Sequence, residues 1–498
     1  MFYDLFGNIA LGLSVAFSWN NLLWCLFGVT LGTLVGVLPG IGALSAISML
    51  LPITYYIEPV AALIMMAGIY YGSSYGGSTT SILLNLPGSA SSAVACLDGY
   101  PMAKQGRAGV ALVTTALASL VGGSIGILIM MLLSPVIVDF ALDLGPQEYF
   151  SLMVMGLLAA SAISVGSPIK GIAMVVVGIL LGLVGIDVST GAQRFTFGIP
   201  ELTEGFSIVV LALGLFGIAE IVVSLNDGQR GTINKGVTFR SMLPTKDDMR
   251  RAAKPMLRGT GVGAFIGALP GAGSTIASFI AYAIERKIAK DPERFGNGAI
   301  EGLAAPEAAN NAGDQTAFIP TLTLGIPGSA TMALMLNVLM IHGVAPGPMM
   351  VMNHADIFWG LVMSFWIGNV LLVILNLPMV GVWVRVLSIP YSVLFPSILM
   401  FVCIGAYTIN YSAFDVMLVA AFGVLGYGMR LLNFPAAPLL LGFVLGPMME
   451  EYFRRAMVLS RGDFTTFFDR PLSLSFLLIS AALLLWAARG GYRKRIVA

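Results

Sequence analysis

Two short motifs combine residues that interrupt helices with groups that can bind ions. Pro39-Gly40-Ile41-Gly42 and, about 230 residues later, Pro270-Gly271-Ala272-Gly273 each lie within an apolar stretch. A second break follows each motif, at Pro87-Gly88-Ser89 and at Pro327-Gly328-Ser329. Helix ends at such breaks present free amides that attract anions and free carbonyls that coordinate cations. Paired breaks at matching places in two halves predict the binding site of a secondary transporter.

Small and polar residues precede both second breaks. The first half reads Tyr70-Tyr71-Gly72-Ser73-Ser74-Tyr75-Gly76-Gly77-Ser78-Thr79-Thr80-Ser81, and the second half begins with Asn310-Asn311-Ala312-Gly313-Asp314. Hydroxyls and backbone amides suit substrate carboxylates, while amide and carboxylate oxygens are hard ligands for a cation such as Na⁺. Gly, Ser and Thr also let membrane helices pack closely, and this alternative applies to each of them taken singly.

These patterns predict two sets of site residues. Backbone and hydroxyl groups near the breaks are expected to bind substrate: Gly40, Gly42, Ser78, Thr79, Thr80, Gly88, Ser89, Gly271, Gly273, Ser274, Gly328 and Ser329. Side-chain oxygens before the second breaks are expected to bind the coupling cation, Na⁺ or H⁺: Asn85, Asn310, Asn311 and Asp314. Glu307 is a further ionisable residue of this region, which fits either a functional position or a membrane interface.

The elements that position these residues are predicted to be membrane helices. Hydrophobic residues make up 57% of the 498 residues, charged residues 10%, and the mean hydropathy is +0.90. Soluble domains carry roughly 25% charged residues. Apolar runs near the length of one bilayer crossing lie at 109–133, 149–163, 204–224, 357–378, 391–409 and 472–488. The net charge of +1 gives no basic field for nucleic acid.

Basic residues suggest how the chain is threaded through the membrane. Residues 226–258 hold eight of the 26 Lys and Arg and are expected to be a cytoplasmic linker. A second basic cluster at 285–294 is also expected to be cytoplasmic. The apolar stretch 259–284 between them would then enter the membrane and return, with its Pro-Gly motif at the tip. Such a re-entrant hairpin requires protein or a wet cavity around its exposed backbone.

The predicted fold class is an all-α polytopic membrane protein of about 10–12 membrane segments plus hairpins. Threading by charge gives each half an odd number of crossings, so the two halves are expected to be inverted-topology repeats with re-entrant hairpins and broken helices. The expected divisions are a first membrane repeat at 1–225, the linker at 226–258, a second membrane repeat at 259–448, and an extra-membrane loop, last helix and basic tail at 449–498.

No catalytic set stands out in the sequence. There is no Gly-x4-Gly-Lys-Ser/Thr motif for nucleotide phosphates, and neither of the two His residues is placed to activate a Ser. The chain is therefore not expected to be an enzyme, and no cofactor is expected beyond a coupling ion. A carboxylate channel or a non-transporting membrane scaffold remains the alternative function.

Several longer motifs resemble the large membrane subunit of the tripartite tricarboxylate transporters, the TctA family. The matching segments are Gly36–Gly42, Tyr70–Ser89, Asp98–Pro101, Pro306–Ala312 and Gly325–Ser329. The resemblance extends over essentially the whole chain. It implies a multi-pass protein of the bacterial inner membrane that imports citrate or a related di- or tricarboxylate, driven by a cation gradient.

The resemblance also implies partners and a mechanism. The partners would be a small TctB-like membrane subunit and a periplasmic TctC-like solute-binding protein. Analogy with other inverted-repeat carboxylate carriers suggests a homodimer in which a transport domain moves against a scaffold, as in an elevator mechanism.

Overall fold

The computed structural model describes residues 5–38, 42–163, 167–187, 190–226, 242–269, 273–386 and 391–496. The predicted hairpin tips are 39–42 and 270–273, and their residues 39–41 and 270–272 lie outside the described residues. Residues 227–241 of the predicted linker also lie outside them.

Helices dominate both halves of the chain. The first half contains α1 (Leu5–Ala16), α2 (Trp19–Val37), α3 (Gly42–Leu50), α4 (Pro59–Leu84), α5 (Ala93–Met102), α6 (Ala108–Leu142), α7 (Pro146–Ile163), α8 (Pro168–Gly182), α9 (Ile208–Ala212) and α10 (Ala219–Asn226). The second half contains α11 (Lys246–Gly267), α12 (Gly273–Ile288), α13 (Ile300–Thr316), α14 (Phe318–Leu324), α15 (Ala330–Ile341), α16 (Pro348–Asn353), α17 (Ala355–Asn376), α18 (Val380–Val386), α19 (Tyr391–Asn410), α20 (Ala413–Leu431), α21 (Ala436–Leu459), α22 (Thr466–Asp469) and α23 (Pro471–Ile496).

Shorter elements join these helices. Tighter or wider helical turns occur at Leu51–Tyr56, Ala103–Arg107, Pro200–Leu202, Leu213–Ile218 and Pro292–Arg294. Two strands of two residues each, β1 (Gly185–Ile186) and β2 (Gln193–Arg194), pair antiparallel after α8. Within the described segments these strands form a single small sheet, so the fold is all-α in practice.

Several helices have the length and composition of membrane spans. Within the described residues, Trp19–Val37, Ala93–Leu142, Ala355–Asn376 and Ala413–Leu431 are long and apolar enough to cross a bilayer. Seven shorter apolar helices accompany them. The predicted class, an all-α polytopic membrane protein, is confirmed. The central helices α4 and α13 are too polar to be found by hydropathy, yet both are enclosed by other helices along most of their lengths.

A ridge of glycines packs α2 directly against α4. Gly28, Gly32 and Gly36 face the backbone of Met65, Ile69 and Ser73, so closely that a Cβ at any of the three would overlap a carbonyl oxygen. The residue numbers rise together on both helices, so α2 and α4 run in the same direction. The chain must therefore reverse between them, and α3 is the returning arm of a helical hairpin.

The second half repeats this packing. Gly259, Gly263 and Gly267 of α11 lie 231 residues after the three glycines of α2. They face the backbone of Ala305, Ala309 and Gly313, which lie 240 residues after the three contacts on α4. The helix pairs α2–α4 and α11–α13 are thus built in the same register. The offset of 240 residues also relates the two Pro-Gly-Ser breaks.

Helix α11 begins inside the predicted linker. Thr245 and Asp248 form a capping box, in which the Thr245 hydroxyl accepts from the Asp248 amide and the Asp248 carboxylate accepts from the Thr245 amide. Arg107, at the end of the kink between α5 and α6, pairs with the same carboxylate. Burial acts to raise the pKa of Asp248, but the hydrogen bonds from Thr245 and Arg107 outweigh it, so that the pKa lies below its usual value.

A second contact joins the two halves near this kink. The Asp98 carboxylate of α5 accepts hydrogen bonds from the backbone amides of Gly296, Gly298 and Ala299, at 2.9, 2.9 and 2.8 Å. These amides belong to the loop that leads into α13. Asp98 is fully buried, and charge-assisted bonds of this kind are about twice as strong as neutral ones. Helix α5, which follows the Pro87-Gly88-Ser89 break, is thereby attached to the start of α13.

Candidate functional site

A buried polar cluster forms where α4 crosses α13. The Ser74 hydroxyl donates to Asp314 Oδ2 at 2.6 Å, and the Ser78 hydroxyl donates to Glu307 Oε2 at 2.6 Å. All four residues are at most 4% exposed. The numbers fall on α13 as they rise on α4, so the two helices cross antiparallel. Ser74 and Asp314 are also 240 residues apart, so they occupy equivalent positions in the two repeated helix pairs.

Helix α6 completes the surroundings of Glu307. The Ser119 hydroxyl donates to Glu307 Oε1 at 2.8 Å, and Asn311 Nδ2 donates to the Ser119 oxygen at 2.8 Å. Ser78, Ser119 and Asn311 thus provide the donors around one carboxylate. Burying a carboxylate is unfavourable unless such partners satisfy it. Three helices must therefore pack correctly before Glu307 is accommodated.

The cluster continues to α17 through an aromatic residue of α4. The Tyr75 hydroxyl donates to Asn369 Oδ1 at 2.8 Å, and Asn369 Nδ2 donates to Ser124 Oγ of α6 at 3.1 Å. Tyr75 and Asn369 are both buried. These bonds join α4, α6 and α17 beside the polar cluster.

Asp314 lies beside groups from both second-half breaks. The Tyr70 hydroxyl is close to Asp314, Ser274 and Ser329, and Ser274 is also close to the Asp314 carboxylate. Ser274 belongs to the first turn of α12, directly after the hairpin tip. Ser329 caps α15, directly after the second break. The structure therefore brings together three residues that the sequence predicts as site residues: Ser274, Ser329 and Asp314.

Some oxygen atoms of this cluster have no hydrogen-bond donor among the described residues. They are Asn310 Oδ1, Asp314 Oδ1 and Gln315 Oε1, all of them buried. Asn310 and Asp314 are one helical turn apart, so their side chains share a face of α13. Buried acceptors without donors are rare in proteins. Two such oxygens on one helix face could ligate a cation that prefers hard oxygen ligands.

The second break of the first half, Pro87-Gly88-Ser89, is lined by hydroxyl groups. The Ser89 amide donates to Ser92 Oγ at 3.0 Å, and Ser89 Oγ lies 3.1 Å from Ser91 Oγ. Gly77 of α4 contacts this group, and a Cβ atom there would lie 3.2 Å from Ser89 Oγ. Ser89 and its neighbours thus gather beside a Cβ-free surface of α4.

Each second break lies against the end of its own hairpin helix. A Cβ at Gly88 would overlap the Gly36 carbonyl, and a Cβ at Gly328 would lie 3.8 Å from the Gly267 carbonyl. Thr80 strengthens the first of these contacts, since its hydroxyl donates to the Val37 carbonyl at 2.6 Å.

The remaining predicted residues differ in what can be said of them. Thr79 is buried on α4. Gly42 and Gly273 begin the returning helices with a φ of +64° each, a conformation that favours glycine. Gly40 and Gly271 lie outside the described residues.

Asn85 is separated from the other predicted cation ligands. It is an exposed residue in the left-handed conformation, with a φ of 60°, and it ends α4. It follows Ser74 by eleven residues, or about 16 Å along a helix axis. Since Ser74 is bonded to Asp314, one cation cannot contact both Asn85 and Asp314.

Other members of the cluster are absent from the predicted sets. Ser74, Tyr70 and Tyr75 lie within the polar motif before the Pro87-Gly88-Ser89 break. The motif does not show which of its hydroxyls face α13. Ser119 and Asn369 are polar residues inside long apolar runs, and this position was the signal available for them. Glu307, which the sequence left open between a functional position and a membrane interface, is buried inside the protein.

This fold and cluster define a class: a polytopic α-helical membrane protein with two broken-helix units and a buried, doubly acidic polar centre. The model of the tripartite tricarboxylate transporter TctA family matches residues 22–441. The chain belongs to this family.

Two similar proteins come from Agrobacterium vitis. An uncharacterized 52.8 kDa protein in the TAR-I ttuC' 3' region is 50% identical over 479 residues, covering 96% of this chain and 95% of that protein. An uncharacterized protein in the TAR-II ttuC' 3' region is 52% identical over 215 residues, covering 43% of this chain and 89% of that protein. No solved structure matches the chain. Membership of a tripartite family implies that the chain is a transporter subunit working with two further components.

Proposed function

We propose that the chain is the substrate-translocating subunit of a tripartite importer for citrate or a related di- or tricarboxylate. The observation that carries the proposal is the buried cluster around Asp314 and Glu307, which lies where the repeated helix pairs cross. Ionisable residues inside membrane proteins commonly mark substrate and ion pathways. A small TctB-like membrane subunit and a periplasmic TctC-like binding protein would be its partners, in a bacterial inner membrane.

The two carboxylates give a reason for cation coupling. An anionic substrate that approaches two buried carboxylates is repelled, and two like charges about 6 Å apart cost about 3 kcal/mol at an effective dielectric constant of about 20. A cation or proton bound beforehand removes that cost. Substrate and cation would then bind cooperatively, which is the requirement for symport.

Na⁺ is the coupling ion that we favour. Asp314 Oδ1 and Asn310 Oδ1 share a helix face and have no donor among the described residues. Both are hard oxygen ligands. Asn311 lies in the next position but donates to Ser119, so we assign it a supporting role. Asn85 is left out of this site because of its distance along α4.

Substrate carboxylates are proposed to bind at the two second breaks and at the helix end after the second hairpin tip. Ser89 lies before the N-terminus of α5, and Ser274 and Ser329 lie at the N-termini of α12 and α15. Free amides at helix N-termini attract anions. Hydroxyls and amides from both halves could therefore hold one di- or tricarboxylate near Asp314.

The antiparallel crossing supports inverted repeats. If the two helix pairs are related by a twofold axis, that axis passes near the bond between the equivalent residues Ser74 and Asp314. Equivalent helices that cross antiparallel require an axis perpendicular to them, in the membrane plane, and such an axis inverts the second repeat. We further propose an elevator-like motion within a homodimer.

Uptake measurements test the coupling site. Proteoliposomes containing the chain and both partners would be given labelled citrate with an Na⁺ gradient, or with choline replacing Na⁺ at fixed pH. We expect Na⁺-driven uptake by the wild type and a fall of at least about tenfold in Asp314→Asn, equivalent to about 1.4 kcal/mol of coupling. Asp143→Asn, which neutralises an exposed carboxylate at the end of α6, is the matched control.

Each other outcome removes a particular part of the proposal. Uptake that is unchanged in choline excludes Na⁺ as the driving ion. Wild-type uptake by Asp314→Asn excludes Asp314 from the cation site. Citrate flux down its own gradient, without a cation gradient and without the binding protein, identifies a channel.

A further inference from the structure

The end of α12 forms a pocket that is separate from the polar cluster. Tyr282, Ala283, Arg286, Lys287 and Pro292 line an open cavity of about 400 Å³. Arg286 follows Ser274 by twelve residues, so it lies about 18 Å farther along α12 from the Asp314 region.

The pocket carries positive charge that the protein does not neutralise. Arg286 and Lys287 are exposed, and neither forms an ion pair with a carboxylate in the described part of the chain. The adjacent Glu285 is already engaged, because Arg258 binds both of its oxygens, at 2.6 and 2.7 Å.

Other charges lie within the following turns. Lys290 and Arg294 add two cations, and the exposed acids Asp291 and Glu293 add two anions. Asp98, behind Tyr282, is occupied by three backbone amides. The local balance is therefore positive, and Arg286 and Lys287 are the cations that line the cavity.

An apolar helix face leads up to the pocket. Phe279, Ile280 and Ile284 of α12, which precede the basic pair, are 48%, 39% and 37% exposed. Ile288, which follows the pair, is 51% exposed. In a membrane protein, such an outward apolar face contacts lipid acyl chains. Arg and Lys at the end of such a face reach the level of the lipid head groups. The same helix therefore offers a surface for acyl chains and, at its end, a site for an anion.

We propose that this pocket binds the phosphate head group of an anionic phospholipid. The Arg286 guanidinium can form two parallel hydrogen bonds to phosphate oxygens, and Lys287 adds a point charge. Tyr282 and Pro292 form the walls, and the acyl chains lie along Phe279 and Ile284. Basic pockets at the membrane surface are a known kind of site for anionic lipids.

Helix α12 connects the pocket to the polar cluster around Asp314. Helix α12 starts at the second hairpin tip, where Ser274 lies beside Asp314. A lipid bound at the other end of α12 would restrain this hairpin arm relative to the bilayer. Anionic lipid would then change transport without touching the substrate.

Lipid titration of the purified protein tests the proposal. Thermal unfolding would be followed in detergent with added phosphatidylglycerol or phosphatidylcholine, and bound lipid counted by native mass spectrometry. We expect phosphatidylglycerol to bind and stabilise the wild type. Arg286→Gln/Lys287→Gln should weaken its apparent affinity by about thirtyfold, since each basic residue at an anionic surface contributes about fivefold.

Two variants make the test specific. Arg250→Gln/Lys254→Gln removes the same charge from exposed positions on α11 and should bind phosphatidylglycerol as the wild type does. Arg286→Lys/Lys287→Arg keeps both charges, so it should retain binding even if the neutral variant folds poorly.

Three results would overturn the proposal. Equal loss in the α11 variant would mean a general effect of surface charge. An equal response to phosphatidylcholine would mean that the head group is not recognised. Stabilisation by inorganic phosphate or citrate alone, lost in the pocket variant, would identify a site for soluble anions.

Discussion

The hydrogen bond from Ser74 to Asp314 joins two residues that occupy the same place in the two halves. One of the pair is neutral and the other is a carboxylate, and they are 2.6 Å apart. Two carboxylates at this distance in a buried site could not both be ionised without a large penalty. The chemical difference between these two positions is therefore a condition for the helices α4 and α13 to pack.

Exchanging the pair provides a prediction at this scale. Ser74→Asp should lower the free energy of unfolding by about 3–5 kcal/mol, because it buries a second charge without a partner. Ser74→Asp/Asp314→Ser restores one carboxylate and one hydroxyl and should recover at least half of the loss. Thermal unfolding in detergent measures both variants.

Ser74→Asn is the control for this exchange, since it has the shape of Asp without the charge. If the destabilisation of the double variant equals the sum of those of Ser74→Asp and Asp314→Ser, a direct interaction is contradicted.

At this scale the sequence predicted part of the site. Asn310, Asn311 and Asp314 could be found because polar residues beside a helix break are unusual in an apolar chain. Ser119 and Asn369 were missed because their partners, Glu307 and Tyr75, are 188 and 294 residues away along the chain. Asn85 has a local role at the end of α4 that its motif did not reveal.

Among the elements, the glycine ridges of α2 and α11 set how closely each hairpin approaches its broken helix. Small residues let membrane helices approach until backbone contacts backbone. Here the contact extends over three successive turns in both halves. The ridges therefore fix the height at which each hairpin end meets its Pro-Gly-Ser break.

A single added methyl group tests this fit. A Cβ at Gly263 would overlap the Ala309 carbonyl, so Gly263→Ala should cost about 1–3 kcal/mol through overpacking. The midpoint temperature of thermal unfolding and the rate of Na⁺-driven uptake should both fall.

Gly261→Ala is the matched control on the same helix, because a Cβ there meets nothing within 4 Å. It should be neutral or slightly stabilising, since Ala favours a helix more than Gly does. An equal loss at both positions would show that the effect does not come from the contact with α13.

The sequence predicted the kinds of elements better than their ends. The breaks and hairpin arms follow from Pro and Gly, which act locally. Hydropathy predicts a span at 109–133, but α6 continues to Leu142, with Val138 and Ala141 of its last turns buried. Helix α11 starts earlier than the predicted boundary because of the Thr245–Asp248 capping box.

For the whole molecule, Asp98 and Asp248 connect the two halves near the kink at Ala103–Arg107. Asp98 binds the loop before α13, and Asp248 binds Arg107. The first contact attaches α5 to the loop before α13, and the second attaches the kink after α5 to α11. A movement of one half against the other would have to carry these contacts along or break them.

The Asp248 contact should make stability depend on pH. Its folded-state pKa is lowered, so the carboxylate stabilises the fold above the unfolded pKa of about 3.9, and this contribution is lost as the pH falls through the folded-state value. Asp248→Asn should cost about 1 kcal/mol at pH 7, and the difference from wild type should shrink below about pH 4.

Thermal unfolding between pH 7 and pH 3 measures this difference. Asp247→Asn, at the exposed neighbouring position, should follow the wild type at every pH. A constant difference for Asp248→Asn across the whole range would assign its effect to packing.

The contact between equivalent residues also bears on how such a chain could arise. If the two halves descend from one duplicated gene, the ancestor was an assembly of two identical subunits, and the residue at this contact faced its own copy. An ancestor with Asp there would have met the repulsion that the present pair avoids. Fusion into one chain allowed the two copies to diverge, so that one acidic group could be kept at the centre of the molecule.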